Sequence, residues 1–156
     1  KNIRILIPGC GNSYEAEYLL KQGFTNISVI DIAPALVDKL KNKFSTHPEI
    51  KIILGDFFEL DGVYDLIIEQ TFFCALNPSL RNKYVAKMNE LLATNGRLVG
   101  LLFDRIFEHQ GPPFGGSKNE FLSLFENSFT VHHLEKCYNS FSKRANTELF
   151  INLIKM

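Results

Sequence analysis

The sequence predicts an α/β fold built on a mostly parallel sheet of seven strands, with one reversed strand late in the chain. Three observations support this fold. Short apolar runs alternate with helical patterns through most of the chain, and the connections between them are short. A glycine-containing turn, residues 8–11, follows the first apolar run. The last two apolar runs have no helix between them, so we expect those strands to pair antiparallel.

Composition limits the possible functions. The chain has 156 residues, 46% of them hydrophobic, and a formal net charge of zero, so we expect one domain (1–156) and a small-molecule partner rather than nucleic acid or a membrane. No apolar run approaches the roughly 18 residues of a membrane helix. Cys10, Cys74 and Cys137 match neither a disulfide framework nor a zinc site. We therefore expect a cytoplasmic protein without a metal, and a monomer is favoured.

The first strand covers residues 3–7 and is apolar enough to be buried on both faces. A helix follows it, with Asn12 or Ser13 as its N-cap and Gly23 just past its end. The apolar face of that helix is predicted to contain Tyr14, Tyr18 and Leu19.

The second strand covers residues 27–32, and Pro34 can occupy the first turn of the next helix. The third strand covers 50–54 and ends in a Gly-Asp turn. A fourth strand covers 64–69. The apolar stripe of the helix between the second and third strands consists of Leu36, Val37, Leu40 and Phe44.

The second half of the chain starts with a long helix over residues 78–94, which is followed by a fifth strand over 97–103. Residues 105–117 are rich in glycine and proline and are predicted to form a loop. The remaining predicted elements are a helix over 118–126 and two strands over 129–136 and 148–155.

The glycine turn brings bare backbone to the carboxyl end of a strand, where ligands of such sheets bind. A dinucleotide site needs Gly-x-Gly-x-x-Gly, and Gly9 and Gly11 fit, but Tyr14 occupies the third glycine position. A nucleoside without phosphates needs only a close turn and suitable acids. Asp31 ends the second strand and could accept both ribose hydroxyls. Asp56 follows the third strand and could accept a hydrogen bond from an exocyclic amine.

Acids at the ends of neighbouring strands favour a cationic ligand. Glu69 ends the fourth strand, so Asp31, Asp56 and Glu69 are all expected at one edge of the sheet. S-adenosylmethionine carries a sulfonium and an ammonium group, which these acids would attract, whereas they would repel a pyrophosphate.

Four blocks of sequence carry a resemblance to a known family. They are Ile-Pro-Gly-Cys-Gly (7–11), Gly-Asp-Phe-Phe (55–58), Tyr-Asp-Leu-Ile-Ile-Glu-Gln-Thr-Phe-Phe-Cys-Ala-Leu-Asn-Pro (64–78) and Gly-Pro-Pro-Phe (111–114). In this order they resemble the thiopurine S-methyltransferase-like family, which includes thiol and halide/thiocyanate methyltransferases. The first turn alone resembles the wider class I methyltransferases.

The resemblance implies the Rossmann-like three-layer sandwich of class I methyltransferases, with an antiparallel last strand. It also implies S-adenosylmethionine as cofactor and S-adenosylhomocysteine as product. The family's usual segment before the first strand is not in this chain. Other members carry Arg or Tyr where this chain has Gln70. The candidate cofactor-binding residues are Gly9, Cys10, Gly11, Asp31, Ile32, Asp56, Phe57, Glu69 and Gln70.

Methyl transfer from a sulfonium is an in-line displacement that depends mainly on positioning. A thiolate, thiocyanate or halide is already a nucleophile, so no general base is needed, and we assign no catalytic residue. The candidate substrate residues are Phe72, Phe73, Arg105, Phe114 and Arg144, the aromatics as a wall and the arginines as anion ligands.

Two other functions remain open from the sequence. One is a nicotinamide-dependent oxidoreductase, against which Tyr14 and the reversed strand both argue. The other is a methyltransferase fold kept as a binding or scaffold protein, which Gln70 and the missing opening segment leave possible.

Overall fold

The computed structural model describes residues 1–156 and contains one seven-stranded sheet in the order β3-β2-β1-β4-β5-β7-β6. β7 is antiparallel to both of its neighbours, and the other neighbouring pairs are parallel. The single reversed strand predicted from the sequence is therefore confirmed. The strands are β1 (Ile5–Pro8), β2 (Ile27–Asp31), β3 (Ile50–Leu54), β4 (Tyr64–Gln70), β5 (Leu92–Phe103), β6 (Phe129–Lys136) and β7 (Glu148–Lys155).

Four helices cover the two faces of the sheet. They are α1 (Tyr14–Lys21), α2 (Pro34–Lys43), α3 (Arg81–Leu91) and α4 (Lys118–Phe125). Side chains of α1 and α2 share one hydrophobic cluster with Ile5 and Ile7 of β1, while α3 and α4 share another with Leu6. Successive residues of a strand point to opposite faces of the sheet, so β1 contributes side chains to both clusters. This confirms the three-layer sandwich.

Helix α1 differs from the prediction in its buried face. Tyr14 and Tyr18 are 68% and 62% exposed, and the helix packs on the sheet through Ala16 and Leu19 instead. Because Ala16 is small, the helix can approach the sheet closely, and the two tyrosines then point to solvent. The N-cap residue is Ser13, which is one of the two predicted candidates. Its side chain makes no capping hydrogen bond.

Helix α3 is shorter than the predicted span of 78–94. A separate 3₁₀ turn, Pro78–Leu80, comes before it, and the helix ends at Leu91 because Leu92 already has an extended backbone and pairs with Tyr64 of β4. β1 likewise begins at Ile5 rather than at residue 3. The third, sixth and seventh strands have the predicted bounds.

None of the helices combines the length and the apolar character needed to cross a bilayer. Within the fold, buried Arg81 connects α3 to the glycine-rich loop and to α4. Its guanidinium donates to the Gly115 carbonyl at 2.7 Å and to the Glu120 carboxylate at 2.5 Å, and it packs over the Phe73 ring. This arrangement places the predicted loop 105–117 against the helical layer beside β4.

Candidate functional site

Two neighbouring cavities lie at the carboxyl ends of β1 to β4. The first cavity has a volume of about 340 Å³ and is lined by the ends of β2 and β3 and by the turn after β4. The second cavity, about 270 Å³, lies along residues 9–15. Gly9 and Thr71 line both cavities, so the two adjoin at these residues. This is the sheet edge at which the sequence placed a ligand.

The first turn is shaped by close packing. Gly9 and Gly11 have φ values of +56° and +53°, a region that glycine adopts without strain. A Cβ atom on Gly9 would lie 2.2 Å from Cδ2 of Phe72, whereas a Cβ on Gly11 would meet nothing within 4 Å. Gly9 is therefore required by the Phe72 ring, while Gly11 faces open space and exposes its backbone there.

Asp31 is tied to the same turn. The Gly11 N–H donates to one carboxylate oxygen at 3.4 Å, and the Ala33 N–H donates to the other at 3.1 Å. Each carboxylate oxygen can accept a second hydrogen bond, and Asp31 lines the first cavity. The backbone bonds thus fix the carboxylate at the cavity and leave it able to accept donors from a ligand.

Asp56 is held by an equivalent local contact after β3. Its Oδ1 accepts from the Phe58 N–H at 2.9 Å and so caps a 3₁₀ turn, Phe57–Glu59. Phe57 is buried and, with Phe58, Asp56 and Ile32, lines the first cavity. The sequence prediction that Asp31 and Asp56 lie together beside the glycine turn is confirmed in the structure.

The sequence profile of the family "Thiopurine S-methyltransferase (TPMT)" matches residues 1–153. This chain belongs to the thiopurine S-methyltransferase family. The family resemblance stated from the four sequence blocks is therefore confirmed over nearly the whole chain.

Relatives within the thiopurine S-methyltransferase family differ in the acceptors their names describe. A probable thiol methyltransferase 2 of Arabidopsis thaliana is 34% identical over 125 residues, which cover 77% of this chain and 55% of the relative. A thiopurine S-methyltransferase of Acinetobacter baylyi is 27% identical over 155 residues, covering 85% and 71%. A thiocyanate methyltransferase 1 of Brassica oleracea is 28% identical over 116 residues, covering 71% and 51%. The chain spans about half the length of these plant relatives.

Solved structures support the fold. A TehB-like S-adenosylmethionine-dependent methyltransferase from Corynebacterium glutamicum matches with a TM-score of 0.77 and 22% identity, covering 100% of this chain and 82% of that one. A 1,6-didemethyltoxoflavin-N1-methyltransferase of Burkholderia thailandensis, with 1,6-didemethyltoxoflavin and S-adenosylhomocysteine bound, matches with a TM-score of 0.81 and 18% identity, covering 100% and 72%. At these identities the likeness concerns the fold alone.

The acid at the end of β4 does not take the position that the family resemblance implied. Glu69 is 1% exposed, lines neither cavity, and receives hydrogen bonds from Phe72 N–H, Phe73 N–H and the Tyr84 hydroxyl. The prediction of Glu69 as an acid facing the ligand is therefore wrong for its side chain. The reason is that the carboxylate turns inward to satisfy the two N–H groups of the turn that follows the strand.

Three further residues of the predicted cofactor-binding set line the second cavity. Cys10, Gly11 and Gln70 line it, together with Arg144 from the segment before β7. Cys10 is buried, and burial raises the pKa of its thiol, so its sulfur is not a reactive thiolate at neutral pH.

The predicted substrate residues do not form one wall. Phe72 lines the first cavity and Arg144 the second, but Phe73 is a core residue packed on Tyr84 and Phe121. The prediction of Phe73 as pocket wall is wrong because α3 and α4 cover it.

Phe114 and Arg105 belong to the neighbouring loop. Phe114 lines a separate cavity of about 250 Å³ beside His109, and its N–H donates to the Cys74 carbonyl at 2.7 Å. Arg105 lines neither of the first two cavities and packs over the Phe107 ring at 4.4 Å. The structure therefore does not bring Arg105 or Phe114 to the glycine turn.

Thr71 is a site residue that sequence reasoning missed. It lines both cavities and has φ +61°, which is uncommon for a β-branched residue and typical of functional turns. Its only sequence signal is its place directly after the fourth strand.

Proposed function

We propose that this protein transfers a methyl group from S-adenosylmethionine to a small, soft nucleophile of the thiol, thiopurine, thiocyanate or halide class. The observation that carries this proposal is the first cavity. Asp31 and Asp56 line it beside the Gly9 turn, and no Lys, Arg or His side chain does so. Such a site suits the ribose and base of a nucleoside, and Tyr14 at the third glycine position argues against the pyrophosphate of a nicotinamide-dependent oxidoreductase.

The residues present fit such a cofactor. Phe57 and Phe72 give the first cavity an apolar floor for a base, and Asp56 has an oxygen free to accept an exocyclic amine. Asp31 would hold the ribose hydroxyls, because both its oxygens are fixed at the cavity. Residues 9–15 and Gln70 line the adjoining cavity, which would receive the amino acid part.

The chain's own contribution to the reaction is positioning. When bound, the cofactor supplies a methyl group already activated by a positive sulfur. Arg144 is the basic side chain of the second cavity, 3.6 Å from the buried Glu148 carboxylate, and would hold an anionic acceptor near Thr71 and Gln70. A soft anion needs no general base, and holding two reactants in line contributes up to ~7–11 kcal/mol.

A nucleophile panel tests this function. The protein is incubated with S-adenosylmethionine and, in turn, iodide, thiocyanate, a small thiol and a thiopurine, and methylated products are measured. We expect product from at least one acceptor, and much less from the Asp31→Asn variant. Binding of S-adenosylhomocysteine without turnover on any acceptor by the full-length protein would favour the scaffold alternative.

The role of Arg144 is tested by comparing anionic with neutral acceptors in the same panel. Replacing it by Gln should raise KM for thiocyanate and iodide more than for a neutral thiol, because only the anions lose a charged partner. Equal effects on all acceptors would remove Arg144 from the acceptor site. We further propose a cytoplasmic protein without a nucleic-acid partner, on the basis of its zero net charge and its cysteine pattern.

A further inference from the structure

The buried carboxylate of Glu69 organises the wall of the first cavity from behind. Its Oε1 accepts hydrogen bonds from the backbone N–H groups of Phe72 and Phe73, both at 2.8 Å. Its Oε2 accepts from the Tyr84 hydroxyl at 2.7 Å. All three donors would be unsatisfied inside the core without this side chain, which is a costly arrangement. The turn after β4 therefore depends on one carboxylate.

Tyr84 supports the same wall through its ring. Ring centroids lie 6.1 Å from Phe57, 6.2 Å from Phe72 and 5.0 Å from Phe73. Phe72 in turn lies directly against Gly9, where a Cβ would overlap it, and packs on Phe57 at 5.1 Å. A shift of the Glu69–Tyr84 pair would consequently move both aromatic side chains of the cavity floor.

We propose that Glu69 and Tyr84 are positioning residues: the ionised Glu69 carboxylate holds Phe72 against Gly9 and so gives the first cavity the shape that binds the nucleoside of the cofactor. This inference rests on the proposed function and adds to it a requirement for a particular protonation state. Neither residue touches the cavity, so each acts through Phe72.

Protonation of Glu69 would disturb these contacts. Because Oε1 holds two N–H donors, a proton would go to Oε2, and the Tyr84 hydroxyl would have to change from donor to acceptor. The neutral carboxyl group would also hold the two N–H groups less strongly than the carboxylate does. Burial raises the pKa of Glu69 to about 7. The titratable groups facing it are the Tyr84 phenol on α3 and the Cys74 thiol on the following turn, whose pKa values are raised as well. Arg144 and Glu148 act on Cys74 from the β7 side.

The experiment measures S-adenosylhomocysteine affinity by calorimetry at pH 6 and pH 8. If only the ionised form holds the wall, the wild-type protein should bind about tenfold more tightly at pH 8. Glu69→Gln keeps an oxygen for the two N–H groups but cannot ionise, so its affinity should not change over this range. Tyr84→Phe should move the profile to higher pH, because the carboxylate loses a donor. Glu90→Gln, an exposed position on α3, is the control and should match the wild type.

A second measurement is independent of the ligand: the backbone amide resonances of Phe72 and Phe73 are followed by NMR from pH 5 to pH 9. They should shift with a midpoint near 7 in the wild type and stay constant in Glu69→Gln. The same pH profile of affinity in both proteins, or amides that do not titrate in the wild type, would overturn the inference. Titrating amides without any S-adenosylhomocysteine binding would support the hold of Glu69 on Phe72 and Phe73 and reject the proposed function.

Discussion

At the residue scale, three carboxylates at the carboxyl ends of β2, β3 and β4 have different environments. Asp31 and Asp56 each accept hydrogen bonds from nearby backbone N–H groups and remain at the first cavity. Glu69 has a longer side chain, and it reaches back into the core to Tyr84 instead. Sequence position predicted that all three would face a ligand, but the donors around each carboxylate decide which of them can meet it.

The Asp31 carboxylate gives the first prediction. Replacing it by Asn removes the charge that would accept the two ribose hydroxyls. Because a hydrogen bond to a charged group contributes about 1.5–3 kcal/mol, we expect S-adenosylhomocysteine to bind roughly 10- to 150-fold more weakly in a calorimetric titration. Asp38→Asn, an exposed position on α2, is the control. Equal affinities of Asp31→Asn and wild type would remove Asp31 from the site.

Glu69 gives a prediction for stability as a function of pH. Its pKa is raised from 4.5 to about 7 because burial disfavours the charged form. The folded state thus binds this proton more tightly than the unfolded state, and the resulting stabilisation is complete below pH 4.5 and is lost as pH rises to 7. In denaturant titrations, the wild type should lose about 3 kcal/mol relative to Glu69→Gln over this range. If the unfolding free energies of the two proteins changed in parallel with pH, the raised pKa of Glu69 would be contradicted.

At the scale of the elements, the first turn connects β1 to α1 and offers a matched pair of substitutions. Gly9→Ala and Gly11→Ala both place a side chain at positive φ, which costs about 1–2 kcal/mol in each case. Only Gly9→Ala also drives a Cβ into the Phe72 ring, and such overpacking adds about 1–3 kcal/mol. We therefore expect a larger loss of unfolding free energy for Gly9→Ala in denaturant titrations. Equal losses would show that Phe72 does not limit this turn.

The elements also show what the sequence could predict. β3, β6 and β7 have the predicted bounds because turn residues flank their apolar runs. The prediction for the buried face of α1 was wrong because Tyr14 and Tyr18 matched a helical spacing, whereas the folded helix packs through the small Ala16. α3 ended early because Leu92 joined β5, and pairing with another strand is not a local property of the sequence.

At the scale of the whole molecule, β1 to β4 are parallel, so their carboxyl ends and the residues of the candidate site lie at one edge of the sheet. Gly9, Asp31 and Asp56 could be predicted there, since each directly follows or ends a strand. Phe73 and Phe114 could not be assigned correctly, because helices α3 and α4 and the loop 105–117 decide which aromatics are covered. Thr71 was missed because only its backbone conformation marks it.

The central claim is that bare backbone and two carboxylates bind an adenosine group without phosphates rather than a dinucleotide with its pyrophosphate. The most direct test is a pair of calorimetric titrations of the full-length protein, one with S-adenosylhomocysteine and one with NADH. We expect S-adenosylhomocysteine to bind with a Kd on the order of micromolar, equivalent to about 8 kcal/mol, and NADH to give no binding. Tight binding of NADH without binding of S-adenosylhomocysteine would contradict the account.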